Sequence, residues 1–162
     1  MKTIYFAGGC FWGVERYFSL VKGVISTEVG YANGTKDNPS YQDLKSGLDD
    51  ASETVKIDYD QAVVSLEKLV ELYLRVVNPY SINKQGEDEG IQYRSGVYYL
   101  DEKDKNIVLD YFSKIDLINY AIELLPLRKF FSAEEYHQKY LEKNPNGYCH
   151  INMNFLKDDE RK

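Results

Sequence analysis

The residue best suited to covalent chemistry is Cys10. An apolar run typical of a β-strand, Ile4–Phe6, ends at Gly8-Gly9, and a helical pattern of apolar residues begins after Gly13. Cys10 is therefore expected at the N-terminus of a helix, where unpaired N–H groups favour negative charge. This position predicts a thiol pKa below the ~8.5 of a free cysteine, and hence a nucleophilic thiolate.

A buried structural cysteine is the alternative interpretation of Cys10, because free cysteines are among the most buried residues. Gly8 and Gly9 argue against it, since they remove side chains where a ligand would approach the sulfur. Phe11 and Trp12 follow directly and can supply apolar walls. The sequence thus predicts a ligand pocket beside the thiol.

Composition narrows the class of protein. The chain has 162 residues, 43% of them hydrophobic, which allows one domain whose core needs no disulfide. A net charge of −6 without a basic cluster argues against nucleic acid or an anionic membrane as a partner. No apolar run approaches the ~18 residues of a membrane span. The apolar run near the N-terminus is shorter than the about 7–15 apolar residues of a signal peptide. We therefore expect a cytoplasmic protein. We also expect a monomer.

Alternating strand and helix patterns should position the pocket. After the first strand and helix, residues 24–31, 53–60, 96–100 and 120–124 read as strands, and 64–77 and 104–115 as helices. Ser132 to Glu135 has the capping-box pattern, which predicts a further helix through Leu141. Residues 80–96 form a polar, glycine-containing loop of a length that is more often functional than idle. The class is mixed α/β (α+β), with a single mixed sheet and packed helices.

Several motifs together resemble the peptide methionine sulfoxide reductase A family. They cover roughly residues 3 to 150 and are Gly8-Gly9-Cys10-Phe11-Trp12-Gly13-Val14-Glu15, Pro39-Ser40-Tyr41, Glu53, Gln85-Gly86-Glu87-Asp88-Glu89-Gly90-Ile91-Gln92-Tyr93-Arg94-Ser95, Glu134-Glu135-Tyr136-His137-Gln138-Lys139-Tyr140-Leu141 and Asn144-Pro145-Asn146-Gly147-Tyr148-Cys149. The resemblance implies a ferredoxin-like sheet and a single catalytic domain over residues 1–162, flexible from about residue 143. It implies reduction of the S epimer of methionine sulfoxide, free or in proteins, without cofactor or metal.

The resemblance also gives roles to the candidate site residues. Cys10 attacks the sulfoxide sulfur and becomes a sulfenic acid as methionine departs. That attack needs an apolar slot for the S-methyl group, which Phe11 and Trp12 would form.

The oxygen of the sulfoxide gains negative charge and needs donors. By resemblance, Tyr41 and Tyr93 are the hydroxyl donors, Asp88 is a polar contact to substrate, and Glu53 is the general acid. Glu53 then needs a pKa above its ~4.3 reference, which burial beside aromatic rings can provide. The chain has Asp50-Ala51-Ser52-Glu53 where the family usually has a Gly-His-Ala-Glu type sequence, and the extra acid of Asp50 could raise the pKa of Glu53 further. Judged without the resemblance, Glu53 is an exposed strand-end residue.

Cys149 is the second cysteine, at the other end of the chain. By resemblance it condenses with the Cys10 sulfenic acid to a disulfide, which thioredoxin then reduces. A bystander thiol is the alternative, although the surrounding Gly/Pro/Asn-rich segment would let Cys149 travel. A zinc site built from both cysteines with His137 and His150 fits metal spacing poorly. His137 is expected on a helix, as a structural hydrogen-bonder.

A second class of function uses the same thiol. A non-catalytic redox sensor also needs a reactive Cys10 and a resolving cysteine, and its aromatic pocket could hold a methionine-rich partner. Such a sensor does not need Glu53, Tyr41 and Tyr93 together. Substitution of these three residues therefore separates the two functions.

Overall fold

The computed structural model describes all 162 residues. Its strands are β1 Lys2–Ala7, β2 Val24–Ala32, β3 Ser52–Tyr59, β4 Lys84–Gln85, β5 Asp88–Glu89, β6 Gly96–Tyr99, β7 Glu123–Pro126 and β8 Phe130–Ser132. Its α-helices are α1 Phe11–Ser19, α2 Tyr41–Lys45, α3 Leu66–Val76, α4 Glu102–Lys114 and α5 Tyr140–Lys143. None of these helices combines the length and apolar character needed to cross a membrane.

One mixed sheet of six strands organises the chain, in the order β7-β6-β1-β3-β2-β8. All neighbouring strands pair antiparallel except β6 and β7, which are parallel. The long pairings of β3 with β1 and β2 place Glu53 opposite Tyr31 and Thr54 opposite Ala7, at the end of the sheet where β1 stops. The predicted mixed α/β class with a single main sheet is confirmed.

The core lies between one face of this sheet and helices α1, α3 and α4. Successive side chains of a strand point to opposite faces, so Ile4 and Phe6 enter the core of 31 residues, while Tyr5 and Ala7 join a small cluster on the other face. Helix α3 begins at Ser65, whose side chain accepts the N–H of Lys68 at 3.0 Å. The sequence prediction of a helix over residues 64–77 is thus confirmed to within two residues.

The helix predicted from Ser132 to Leu141 is wrong. Ser132 ends strand β8, residues 135–137 form a short 3₁₀ turn, and the helix α5 begins only at Tyr140. The reason lies in Gln138, whose side-chain amide bonds both the N–H and the carbonyl of Val29 at 3.0 and 2.9 Å. This tertiary contact holds the segment against the sheet edge and overrides the local capping pattern.

Two further differences concern the sheet edge and the polar loop. The strand predicted at 120–124 is displaced to Glu123–Pro126. The loop at 80–96 contains the two-stranded hairpin β4–β5 and a 3₁₀ turn at Ile91–Tyr93. Gln85 closes this loop, because its side chain bonds Asn78 at the start and Ser95 at the end, each at 3.0 Å.

Candidate active site

Cys10 occupies the N-cap position of α1, as predicted, and the residue is buried with 8% exposed. The break before it depends on two close approaches. A Cβ on Gly8 would lie 2.5 Å from Val77, and Gly9, at φ +83°, would place one 2.8 Å from Gln85 and 2.9 Å from His150. The two glycines therefore make room for the chain's own side chains, and the expectation that they also open the site to a ligand stays a prediction.

Glu53 lies beside Cys10, on strand β3, and is 1% exposed. Its Oε1 accepts the backbone N–H of Phe11 at 3.2 Å, so the carboxyl group binds the first turn of α1. Its Oε2 is buried without any hydrogen-bond partner. A buried carboxyl oxygen with no partner is costly to maintain, which marks this atom as a functional candidate.

Burial raises the pKa of Glu53 to about 8, with a smaller upward contribution from Asp88 and an opposing one from the Phe11 N–H. Glu53 therefore keeps its proton at neutral pH, as the general-acid hypothesis requires. Asp50 does not contribute. Its carboxyl is exposed and instead accepts the N–H of Thr35 at 2.8 Å.

The pKa of Cys10 is raised, and the prediction of a resting thiolate is wrong. The largest cause is burial, followed by Glu53, which disfavours a thiolate whenever its carboxyl is ionised, while the nearby backbone N–H of Trp12 only partly opposes them. The position that was expected to favour a thiolate is thus outweighed by the apolar surroundings. Before substrate binds, the Cys10 thiol and the Glu53 carboxyl therefore both keep their protons at neutral pH.

Tyr41 and Tyr93 reach the same site from two different elements. Tyr41 is the first residue of α2, which is capped by Ser40, and Tyr93 ends the 3₁₀ turn after β5. Burial and the nearby Glu53 raise the pKa of both phenols, so both remain hydroxyl donors. Arg94 fixes the turn that carries Tyr93, because its guanidinium donates to the carbonyls of Ile91 and Asp50 at 2.9 and 2.7 Å.

Phe11 and Trp12 form an aromatic wall in the first turn of α1. Phe11 is buried with 1% exposed, and its ring lies 5.3 Å from that of His137. Trp12 stacks on Tyr140 at 3.7 Å and donates its indole N–H to Nδ1 of His137 at 3.0 Å. His137, 1% exposed, thus fixes the orientation of the indole, as a hydrogen-bonding rather than a basic residue; it lies on a 3₁₀ turn and not on the predicted helix.

Cys149 is half-buried and lies over α1. A Cβ on Gly13 would be 3.1 Å from its sulfur, so the thiol rests on the first turn of the helix that Cys10 caps. Both cysteines are free thiols. Tyr148 and His150 flank Cys149 and approach Asp88, through a hydrogen bond from the Tyr148 hydroxyl at 3.1 Å and a 3.8 Å approach of the His150 ring.

Sequence reasoning missed the part that Tyr148 and His150 play in seating Cys149. It considered His150 only as a zinc ligand, and no group of three or more His, Cys, Asp or Glu side chains lies close enough to hold a metal ion. The signal in the sequence was that His150 directly follows Cys149, which puts a titratable ring on the same short segment as the thiol.

Comparison with known proteins decides the family. Residues 2–162 match the sequence model of the family described as Peptide methionine sulfoxide reductase. The protein named Peptide methionine sulfoxide reductase MsrA from Lachnoclostridium phytofermentans is 56% identical over 153 residues, which cover 93% of this chain and 92% of that protein. The MsrA of Clostridium acetobutylicum is 51% identical over 161 residues, covering 97% of this chain and 99% of the relative. The chain belongs to the peptide methionine sulfoxide reductase family. It is an oxidoreductase.

Solved structures of this reductase family share the fold. Mxr1 of Saccharomyces cerevisiae in reduced form is 34% identical, with a TM-score of 0.84 and coverage of 93% of this chain and 91% of that chain. Methionine sulfoxide reductase A of Corynebacterium diphtheriae is 35% identical, with a TM-score of 0.81 and coverage of 91% and 77%. The mixed sheet described above is thus a reductase-family fold.

Proposed function

We propose that the chain reduces the S epimer of methionine sulfoxide, free or in proteins, to methionine. The observation that carries this proposal is the unpartnered, buried Oε2 of Glu53 beside Cys10. The pKa of Glu53, raised to about 8, keeps a proton there for an oxygen that becomes basic during reduction. A thiol, an acid and two phenol donors around one apolar wall are what attack at a sulfoxide sulfur requires.

The first step transfers the sulfoxide oxygen to Cys10. The Cys10 sulfur attacks the sulfoxide sulfur, Glu53 gives its proton to the oxygen, and the thiol proton returns to Glu53. The S–O bond of the substrate breaks and an S–O bond to Cys10 forms, so methionine leaves and Cys10 is oxidised to a sulfenic acid. Tyr41 and Tyr93 donate to the oxygen as its charge develops, and Asp88 contacts the substrate.

Phe11 and Trp12 give the pocket its preference for a methyl thioether. The stacking of Trp12 on Tyr140 leaves a rigid apolar surface that a small S-methyl group can contact. The aromatic wall and the hydroxyl donors lie in fixed positions, so the site can distinguish the two epimers of a sulfoxide. In the other epimer the oxygen and the lone pair are exchanged, and the oxygen would point at the wall. The proposed choice of one epimer rests on this arrangement.

The second step regenerates the thiol. We assign Cys149 to attack the sulfenic sulfur of Cys10, which releases water and forms a Cys10 to Cys149 disulfide. Thioredoxin is the proposed reductant of that bond. Support comes from yeast Mxr1, which is described in one solved structure as a complex with Trx2.

The remaining proposals concern the molecule as a whole. We propose one catalytic domain over residues 1–162, flexible from about residue 143, working as a monomer in the cytoplasm. The single 31-residue core supports one domain. We also propose that the sheet is of the ferredoxin-like type, because β1, β2, β3 and β6 follow each other in βαββαβ connection and lie in the antiparallel order β6-β1-β3-β2.

A redox sensor with the same thiols is the competing function, and Glu53→Gln separates the two. The variant should lose at least ~100-fold in methionine formation, because the general acid is removed. Oxidation of its Cys10 by hydrogen peroxide should not slow, since that reaction does not use Glu53. A variant that still forms methionine at the wild-type rate would refute the proposed reaction.

A further inference from the structure

The imidazole of His150 has one buried nitrogen without a partner. Its Nε2 lies 3.0 Å from the carbonyl oxygen of Gly8. A carbonyl only accepts hydrogen bonds, so Nε2 carries the proton and donates it. In the neutral ring Nδ1 is then an unprotonated acceptor, and this atom is buried with no hydrogen-bond partner in a side chain that is only 4% exposed.

This nitrogen and the Cys149 thiol face the same place on α1. A Cβ on Gly13 would lie 3.4 Å from Nδ1 of His150 and 3.1 Å from the sulfur of Cys149. The sulfur of Cys149 meets both backbone groups of Ile151, because it donates to the carbonyl at 3.2 Å and accepts the N–H at 3.4 Å. Helix α1 has Cys10 at its N-cap position, three residues before Gly13, so Cys10 lies on the same turn of helix as the residue on which Cys149 and His150 pack.

Cys149 needs a base to become a nucleophile, because burial raises the pKa of its thiol. Burial also lowers the pKa of His150, so the ring is neutral at pH 7 and free to accept a proton. The charged group that faces the ring is Asp88 on β5, while Tyr148 and Cys149 precede it on its own segment and Cys10 lies at the start of α1. Asp88, 3.8 Å from Nδ1, favours the protonated ring once it forms.

We propose that His150 is the proton acceptor for Cys149 when the disulfide with Cys10 forms, an inference that rests on the proposed function. Nδ1 takes the thiol proton of Cys149 as its sulfur attacks the sulfenic sulfur of Cys10. The S–O bond of the sulfenic acid breaks and the S–S bond forms. The proton on His150 passes to the departing hydroxide, which leaves as water, so the ring ends neutral and no further oxidant is used.

The variant His150→Gln removes the base and keeps the anchor, because its amide N–H₂ can still donate to the carbonyl of Gly8. Reduced enzyme is mixed with methionine sulfoxide without reductant, and methionine and disulfide are followed in time. Methionine should form in the first turnover at the wild-type rate, while the disulfide should form ~100-fold more slowly. A dimedone adduct on Cys10 should then accumulate in His150→Gln and not in wild type.

Two further readouts separate proton transfer from a structural effect. In wild type, disulfide formation should slow as His150 is protonated at low pH, and this slowing should be absent in His150→Gln. Added imidazole should accelerate disulfide formation in His150→Gly. Asn154→Gln, an exposed change on the same segment, is the control and should match wild type.

Disulfide formation in His150→Gln at the wild-type rate would overturn the role of His150. A slow disulfide that keeps the wild-type pH profile and is not rescued by imidazole would also overturn it, because a merely misplaced segment behaves in this way. Absence of methionine in the first turnover of wild type would instead contradict the proposed function. The failures of the two proposals are therefore distinguishable.

Discussion

At the scale of single residues, the chemistry of the site depends on two buried groups that can release a proton, the Cys10 thiol and the Glu53 carboxyl. Burial raises the pKa of Cys10 and that of Glu53, the latter to about 8. The first turn of α1 donates the N–H of Phe11 to the Glu53 carboxyl, and Cys10 occupies the N-cap position of the same turn. A site that keeps both protons can pass one to the sulfoxide oxygen without drawing it from bulk water.

Because Glu53 keeps its proton in the folded protein, the free energy of unfolding should depend on pH. Its pKa is raised in the folded state, so the folded protein binds more protons between the unfolded value of ~4.3 and about 8. Stability contributed by the neutral carboxyl is therefore present at low pH and lost as the pH rises through this window. The variant Glu53→Gln, which cannot ionise, should gain up to about 4 kcal/mol in unfolding free energy relative to wild type between pH 5 and pH 8.5.

Urea unfolding at the two pH values measures this change. Glu102→Gln, which alters an exposed carboxyl at the start of α4, should show no such gain. An equal unfolding free-energy difference for Glu53→Gln at both pH values would mean that the folded protein does not hold a proton on Glu53.

Residue types in the site could be predicted from the sequence, but their protonation could not. The motif around Cys10 placed the thiol at a helix N-terminus, and the structure agrees. The pKa of that thiol depends on how completely distant segments cover it, including Glu53 from β3. No local pattern contains that information, since burial is a property of the folded chain.

At the scale of elements, the aromatic wall depends on contact between α1 and the 3₁₀ turn at Glu135–His137. The indole N–H of Trp12 donates to His137 across 125 residues of sequence. Gln138 holds this 3₁₀ turn in place, because its side chain forms hydrogen bonds with the backbone of Val29 on β2. The sequence pattern suggested a helix here, because the capping box is a local signal and the Gln138 contact is not.

Removing the acceptor for Trp12 should loosen the wall. In His137→Phe the ring packing is retained and the hydrogen bond of about 1 kcal/mol is lost, so KM for the sulfoxide should rise several-fold with a smaller change in kcat. Trp12 is the one tryptophan of the chain, so intrinsic fluorescence reports its environment directly. A shifted emission spectrum is expected together with the higher KM.

Tyr136→Phe is the control, because its ring also lies against His137 but is exposed and takes no part in the indole hydrogen bond. It should keep the wild-type KM and emission. An unchanged KM in His137→Phe would mean that the orientation of Trp12 does not limit substrate binding.

At the scale of the whole molecule, the C-terminus closes onto the fold after the Cys149 segment. Glu160, whose side chain is 4% exposed, makes a bidentate pair with Arg75 at 2.6 and 3.1 Å and a second pair with Lys68 at 2.6 Å. The backbone of Lys162 donates to the carbonyl of Leu20 at 3.0 Å. The segment that carries Cys149 therefore runs between α5 and the contacts of Glu160.

The charge of Glu160 should stabilise the folded chain. Glu160→Gln should lower the unfolding free energy by about 1–3 kcal/mol at pH 7, because it leaves Arg75 partly buried without its partner. The pKa of Glu160 is lowered, first by the Arg75 hydrogen bonds, so this stability is present above the unfolded value of ~4.3 and is lost as the pH falls below it. The difference from wild type should therefore shrink at low pH.

Glu67→Gln provides the matched control, since Glu67 pairs with Lys114 in an exposed position. It should change the unfolding free energy by less than ~0.5 kcal/mol. A Glu160→Gln variant as stable as this control at pH 7 would show that the C-terminal pair does not hold the segment.

The overall class was predictable from alternating strand and helix patterns, whereas the sheet edges were not. Strand β8 has only three residues and pairs with β2 through a long connection, so its sequence carries no periodic signal. The closing contacts of Glu160 likewise join residues 85 positions apart. Such contacts are decided by tertiary packing rather than by local propensity.

The most direct test of the account measures methionine formed from each purified epimer of methionine sulfoxide, with dithiothreitol as reductant. Wild type and Cys10→Ser are compared under the same conditions. The account predicts turnover of the S epimer alone in wild type and no turnover in Cys10→Ser. Turnover of the R epimer by wild type, or retained activity in Cys10→Ser, would contradict it.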